Sequence, residues 1–306
     1  MNFLGVDIGG TKIAVGVVNA AGSVVASKRV STPAAEGGEA VLSAAVNASR
    51  ELLAEAGVAV NAIGIGAGGQ IDSDNGLIVS ATDLLPGWAG QPVVKTFSDV
   101  FQLPVKIDND VNALAVGEHK FGSSVGLKSA CFIALGTGVG GALVLDGQVL
   151  HGAHWSAGEF GHLIVDMSES ARIDAGGHKG TLEAYASGSG LVATWRNITG
   201  ETTAISAVEI AEEAKADAGG AAALALGQTG RYLGFGLVSI VSMFDPDIIV
   251  VGGGLAEIGD MLLDNARTAL LERALDGAAS CPVVIGTLGL DGSIIGAAAL
   301  AMVNFR

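Results

Sequence analysis

Cysteine is nearly missing from this 306-residue chain: Cys131 and Cys281 are the only two, far apart and each at the start of an apolar run. Their placement excludes a disulfide scaffold and implies free, buried thiols in a reducing compartment, so a cytoplasmic location is expected. Basic residues are scarce as well. With 16 Lys and Arg against 31 Asp and Glu the formal net charge is -15 and no basic cluster stands out, so no nucleic-acid partner is expected. The chain also lacks an apolar run long enough to span a bilayer. Its most apolar window, Tyr232 to Val251, is broken by Asp245, Pro246 and Asp247, so no membrane segment is expected. A strand-like run begins within a few residues of Met1, so no signal peptide is expected. Finally, the P-loop spacing does not occur, and the G-x-G-x-x-G spacing of Gly136 to Gly141 runs into a strand-like stretch and does not open a helix, so two common nucleotide-binding solutions lose support.

What is present is glycine and small apolar residues. Half of the chain is hydrophobic, enough for a core in each of two domains. The opening stretch, Phe3 to Val15, sets two apolar runs around Asp7-Ile-Gly-Gly-Thr-Lys12 and reads as strand, turn, strand. Gly9 and Gly10 tolerate positive φ and carry no Cβ, so backbone N–H groups there can approach a phosphate. Asp7 can hold a hydrated metal ion, and Thr11 and Lys12 add a hydroxyl and a cation. A third strand, Ser23 to Ser31, precedes a helix over Glu39 to Ala56 that stops near Gly57, and Ala62 to Ala67 is a buried strand. Gly66 to Asp72 reads as a loop, Val93 to Phe101 as a helix, and Pro104 to Ile107 as a strand running into Asp108-Asn-Asp110. A helix over Val111 to Phe121 follows, with Asn109 or Asp110 as its N-cap.

The grammar then restarts. Ala130 to Val149 is again strand, glycine turn, strand, with Asp146-Gly147 as a two-residue hairpin signal. An internal repeat of this kind predicts two like α/β domains with a cleft between them as the default site. Residues 1–118 form the expected N-terminal domain and 119–290 the larger C-terminal one, with a last helix at about 291–306 packing back on the first. Gly152 to Gly180 is irregular and rich in Gly, His and acidic residues. Helices are predicted over Leu182 to Leu191, Ser206 to Lys215 with a Ser206/Glu209 capping box, Ala221 to Phe244, Met261 to Leu275 and Ser293 to Val303. Strands are predicted over Asp247 to Val251 and Pro282 to Ile285. Glycine-rich turns thus follow strands at Gly9-Gly10, at Gly136-Thr-Gly-Val-Gly-Gly141 and at Gly252-Gly-Gly254, as a nucleotide held by both halves requires.

Taken together, Asp7-x-Gly-Gly-Thr-Lys12, Asn109-Asp110, Leu135-Gly-Thr-Gly-Val-Gly-Gly141 and Gly158-Glu-x-Gly-His162 resemble the ROK family of sugar kinases and sugar-responsive repressors, on the actin-like ATPase (ribonuclease H-like) fold. The resemblance runs in order over essentially the whole chain. It implies ATP and Mg2+ as cofactors, a hexose or N-acylhexosamine as substrate, and a homodimer as the usual assembly. In family terms Asp110 is the general base that receives the sugar hydroxyl proton. Gly69, Gln70, Thr82, Asn109, Glu159, His162 and Glu183 fall on sugar-binding positions. Asp7, Gly9, Gly10, Thr11, Lys12, Gly136, Thr137, Gly138, Gly253 and Gly254 fall on the nucleotide side, with Asp7 reaching Mg2+ through water. For Asp108-Asn-Asp110 a plain helix N-cap is the competing reading, for Glu159 surface charge, and for His162 a satisfied loop histidine.

The chain departs from the family's pattern at two places. Where many members carry Cys-x-Cys-Gly-x-x-Gly-Cys-x-Glu, this chain reads Asp174-Ala-Gly-Gly-His-Lys-Gly-Thr-Leu-Glu183, without a cysteine. In the family a zinc there stabilises the loop that presents His162 and Glu183; here the spacing of His162, Asp174 and His178 is unfavourable and no structural zinc is expected. Gly68 also stands where proline usually precedes Gly69. The expected activity is ATP-dependent phosphorylation of glucose at O6, with an N-acetylmannosamine or other hexosamine or fructose kinase as the alternative. A non-catalytic sugar sensor is the third reading, although with a strand beginning at Asn2 or Phe3 no repressor-type helix-turn-helix is expected, and a sugar-independent ATPase is the fourth.

Overall fold

The computed structural model describes residues 1–81 and 85–302. They fall into two compact units: one holds Met1–Gly126, Gly147–Ala157 and the chain from Gly286 on, the other Leu127–Asp146 and Gly158–Ile285.

The first unit opens with β1 (Asn2–Ile8), β2 (Lys12–Asn19) and β3 (Val24–Ser31), an antiparallel meander. β1 is buried on both faces, whereas β3 alternates half-buried and exposed positions, as an edge strand must. α1 (Gly38–Ala56) buries Val41, Leu42, Ala45, Val46 and Leu52 and stops at Gly57, which adopts the left-handed conformation at φ 61°. β4 (Ile63–Ala67) then pairs parallel to β1. β5 (Gln70–Asp72) and β6 (Leu77–Ser80) form a small hairpin, α2 (Val93–Phe101) follows, and β7 (Val105–Asn109) pairs parallel to β4 and runs directly into α3 (Asp110–Phe121). The sheet order is β3-β2-β1-β4-β7.

The next stretch repeats that grammar. β8 (Ser129–Leu135) and β9 (Val139–Leu145) are antiparallel, and β10 (Gln148–Val149) follows a turn in which Asp146 and Gly147 take φ of 49° and 75°, the type I′ pattern. α4 (Leu182–Ala186), α5 (Gly188–Thr199), α6 (Ala207–Ala216) and α7 (Ala221–Phe244) precede β11 (Ile248–Gly252), α8 (Asp260–Arg273) and β12 (Val283–Ile285). The order β10-β9-β8-β11-β12, with β11 parallel to β8 and β12, mirrors that of the first sheet. The last helix, α9 (Gly292–Met302), returns to the first unit and packs on β1, β4 and α3. Among the described residues no helix is long and apolar enough to cross a membrane.

Three local expectations are corrected. Part of the predicted Gly66 to Asp72 loop is β5, because Ile71 and Ile78 bury across the hairpin and Asp72 accepts from Asn75 N at its turn (2.9 Å). The single helix predicted over Leu182 to Leu191 is two, because Ser187 is extended and spends its hydroxyl capping α5 through Gly190 N (3.0 Å). Cys131 is buried, but Cys281 is only half-buried, its thiol directed at the Pro246 carbonyl (3.3 Å).

Candidate functional site

In the first unit the site grows from the carboxyl ends of three parallel strands. The register aligns Asp7 of β1 with Gly66 of β4 and Asp108 of β7, so a glycine separates two acidic strand ends. Asp7 keeps some solvent contact but is enclosed on most sides. Burial, followed by repulsion from Asp110, pushes its pKa up to about 6, against a hydrogen bond from Ser293 and the charges of Lys12 and Arg29. The turn after it is closed by Gly9 N donating to Lys12 O (3.1 Å) and by Thr32 Oγ1 donating to Gly9 O (2.7 Å). Gly9 is not needed there for a positive φ; a Cβ on it would lie 3.2 Å from the Lys12 carbonyl oxygen.

The triplet Asp108-Asn109-Asp110 divides its labour. Asp108, 5% exposed, uses Oδ1 to accept from Asn109 N and Asn112 Nδ2 (both 2.8 Å) and Oδ2 to bind His151 Nε2 (2.7 Å). Asn109 is the N-cap of α3, with Oδ1 accepting from Val111 N (2.8 Å) and Asn112 N (3.3 Å), while its Nδ2 donates to Gly69 O (3.0 Å). Asp110 stands in the first turn and accepts from Val111 N (2.9 Å). Burial raises its pKa, opposed by hydrogen bonds from Val111 N, its own N–H and Asn109. A partly desolvated carboxylate that is not locked between side chains is the one of the three suited to receiving a proton.

Gly69 sits at φ 107°, where a Cβ would meet Ser80 O at 2.3 Å. Gln70 accepts from Ser80 Oγ and donates to Ser156 Oγ (both 2.8 Å), and Thr82 lies outside the described residues. Sequence reasoning missed His151, whose pKa is raised by its bond to Asp108 against the effect of burial and whose ring meets Trp155 at 5.7 Å. Nothing local to His151 marks it, because its partner is 43 residues away.

The second unit holds a different group. The Gly136-Thr137-Gly138 turn is closed by Gly136 N donating to Gly138 O (2.9 Å) and anchored by Gly188 N to Gly136 O (2.8 Å) and Ser189 Oγ to Thr137 O (3.0 Å). A cavity of about 760 Å³ opens beside it, lined by Gly136, Thr137, Ser189, Arg196, Gly254 and Glu257 over an apolar floor of Val192, Val208 and Leu255. Polar groups around an apolar floor, next to the N-terminus of α5, suit an anionic ligand with a flat apolar part. Gly254 lines the cavity. Gly253, at φ 85°, is there because a Cβ would lie 2.3 Å from Leu135 O. Arg196, Ser189 and Glu257 carried no sequence signal.

Glu159 precedes and His162 ends a short 3-10 turn over Phe160–His162, and the glycines in and around it are contact residues. A Cβ on Gly161 would strike Val139 O at 2.1 Å, and one on Gly141 would strike Gly158 O at 2.2 Å, so the motif is pressed onto β9. Glu183, on α4, accepts from Val139 N through Oε2 (2.9 Å), against the face of Gly138.

The fold corrects the view that His162, Asp174 and His178 are badly spaced: their ligand atoms lie within 4.8 Å of one another. The donor set nevertheless does not fit the family's zinc. No thiolate is present. Both oxygens of Asp174 are engaged, Oδ1 by Gly176 N and His178 N (both 2.9 Å) and Oδ2 by Thr181 Oγ1 (2.8 Å).

The sequence model of the ROK family matches residues 3–303. The glucokinase of Streptomyces coelicolor is 33% identical over 315 aligned positions, covering 97% of this chain and 96% of that protein. The N-acetyl-D-glucosamine kinase of Salmonella heidelberg is 32% identical, covering 90% and 95%. Among solved structures, a ROK family glucokinase from Streptomyces griseus in complex with glucose and AMPPNP superposes with a TM-score of 0.84 at 32% identity, over 99% of each chain.

Proposed function

The chain belongs to the ROK family and is a sugar kinase on the actin-like ATPase fold, and from that premise we propose that it transfers the γ-phosphoryl group of ATP to O6 of glucose with Asp110 as general base. The observation that carries this reading is the division within Asp108-Asn109-Asp110. Two members are spent on bracing and capping, and the third is a carboxylate of raised pKa at the start of a helix. As the sugar oxygen attacks the γ-phosphorus, its proton passes to Asp110, the new P–O bond forms and the bond to the β-phosphate oxygen breaks, releasing ADP.

The cavity beside Gly136 and Gly254 receives the adenosine, and the Gly136–Gly138 turn faces the phosphates. Asp7 fits a Mg2+ ion: its ionised form is held at a disadvantage by burial and by Asp110, and a nearby cation relieves both. When bound, that ion neutralises charge on the transferred phosphoryl group. Within the first unit Asn109 and Gln70 present the acceptor loop; in the second, Glu159, His162 and Glu183 are assigned sugar contacts from the family's pattern alone.

A coupled assay of ADP release against a panel of sugars tests the activity. Glucose is expected to rank first. A higher rate with N-acetylglucosamine moves the assignment to a hexosamine kinase, a kinship that the Salmonella relative supports. Asp110→Asn is expected to keep fold and nucleotide binding and to lower kcat by about 10²–10⁴-fold, the range for a lost general base; near-normal turnover would remove Asp110 from the role.

A further inference from the structure

We propose that Asp174 is a positioning residue: its carboxylate closes the 174–181 loop by hydrogen bonds, without a metal, and so sets Glu183 against the Gly138-Val139 turn. The Asp174 side chain has no solvent exposure, although Ala175 to Lys179 around it are exposed. A carboxylate is buried only if its oxygens are satisfied, and these are: Gly176 N, His178 N and Thr181 Oγ1 converge on them, with His178 Nδ1 3.4 Å from Oδ1. The backbone closes the same loop, through Asp174 N to His178 O (2.9 Å), Gly177 N to Asp174 O (3.1 Å) and the Ile173–Lys179 bridge.

The clasp reaches outward through one hydroxyl. Thr181 Oγ1 donates to Asp174 and accepts from Ala184 N (3.3 Å), which makes it the N-cap of α4. α4 has five residues, too few to form a helix unaided, so its cap decides where it starts. Its second residue is Glu183, whose Oε2 takes Val139 N, leaving Oε1 to an acceptor hydroxyl. Thr181 also bridges to Ile164, and Leu182 N donates to Leu163 O (2.7 Å), so the segment just after His162 is held by the same residues. Moving Thr181 therefore moves Glu183 and the segment that carries His162 together.

The kinetic arm of the test rests on the kinase reading; the other two arms do not. Asp174→Ala and Thr181→Val are compared with Thr181→Ser and with the unaltered protein by amide hydrogen exchange at Val139, Gly176, His178 and Ala184, by elemental analysis for transition metals, and by steady-state kinetics. Asp174→Ala and Thr181→Val are expected to lose protection at Ala184 and Val139 and to raise the sugar KM by about tenfold with kcat little changed, the size of one misplaced hydrogen bond. Thr181→Ser keeps the hydroxyl and is expected to match the unaltered protein. Unchanged protection at Ala184 and Val139 in both disruptive variants overturns the proposal. So does stoichiometric transition metal in the unaltered protein that disappears in His178→Ala, which would make His162, Asp174 and His178 a metal site. If no sugar supports ADP release, the kinase reading fails, and the exchange and metal measurements still decide the clasp.

Discussion

A carboxylate enclosed at a strand end is hard to ionise, and for Asp7 burial and the neighbouring Asp110 push the pKa up to about 6 from 3.8. Because the folded state holds this proton more tightly than the unfolded chain, the contribution to stability is fully present below pH 3.8 and is lost as pH rises through about 6. The whole shift corresponds to at most about 3 kcal/mol, reduced by the residue's remaining solvent contact. Asp7→Asn removes the titration. In the absence of ligand its Tm is expected to lie above that of the unaltered protein at pH 7–8 and to converge with it near pH 4; a difference that does not vary with pH would remove burial of Asp7 as the cause. The same enclosure that costs the apo protein stability leaves a cation-seeking carboxylate beside Asp110. At this scale the sequence was informative about residue type and silent about division of labour. Asp108, Asn109 and Asp110 all qualify as caps and both aspartates as bases, and only the partners, His151 for Asp108 and Gly69 for Asn109, separate them.

At the scale of elements the sharpest constraint is α9, which lies across β1, β4 and α3 with its backbone in contact. A Cβ on Gly5 would fall 2.1 Å from Ile294 O and one on Gly64 would fall 1.8 Å from Ala297 O, so these strand glycines exist to admit a helix. Gly64→Ala has no flexible side chain to displace, and overpacking of this kind is expected to cost about 3 kcal/mol, near the top of the usual range. Thermal or urea unfolding measures it. A loss of under about 0.5 kcal/mol, the size of an ordinary surface substitution, would show that α9 can slide. Elements with strong local signals were legible: α7 runs from Ala221 to Phe244 as the apolar pattern predicts, and Ser206 and Glu209 form the predicted capping box. The β5–β6 hairpin was not, since each strand shows a single buried isoleucine and Gly68-Gly69 reads as loop. The break between α4 and α5 was hidden because the apolar spacing continues through Ser187. Glu183 meeting Val139 and Asp174 meeting Thr181 depend on how the irregular Gly152 to Gly180 stretch folds back, and no periodicity encodes that.

Over the whole molecule the dominant electrostatic fact is a net charge of -15, set against a proposed reaction whose two substrates differ in charge. A neutral sugar is indifferent to that field, whereas an anionic nucleotide must approach through it to reach the site proposed at the Gly136 turn, helped by local groups such as Arg196 and the α5 N-terminus. Screening should therefore act on one substrate and not the other. The Debye length falls from about 30 Å at 0.01 M salt to about 8 Å at 0.15 M, shorter than the dimensions over which a chain of this size spreads its charge. Over that range, at fixed free Mg2+, the KM for nucleotide is expected to fall several-fold while the KM for glucose stays constant. A nucleotide KM that rises with salt would mean that the local cationic groups outweigh the surrounding carboxylates. Raising both KM values together would place the salt effect on the protein's conformation rather than on its field. The outcome separates a site that recruits its anionic ligand against the field of the molecule from one that reverses that field locally, and the composition alone predicts the first.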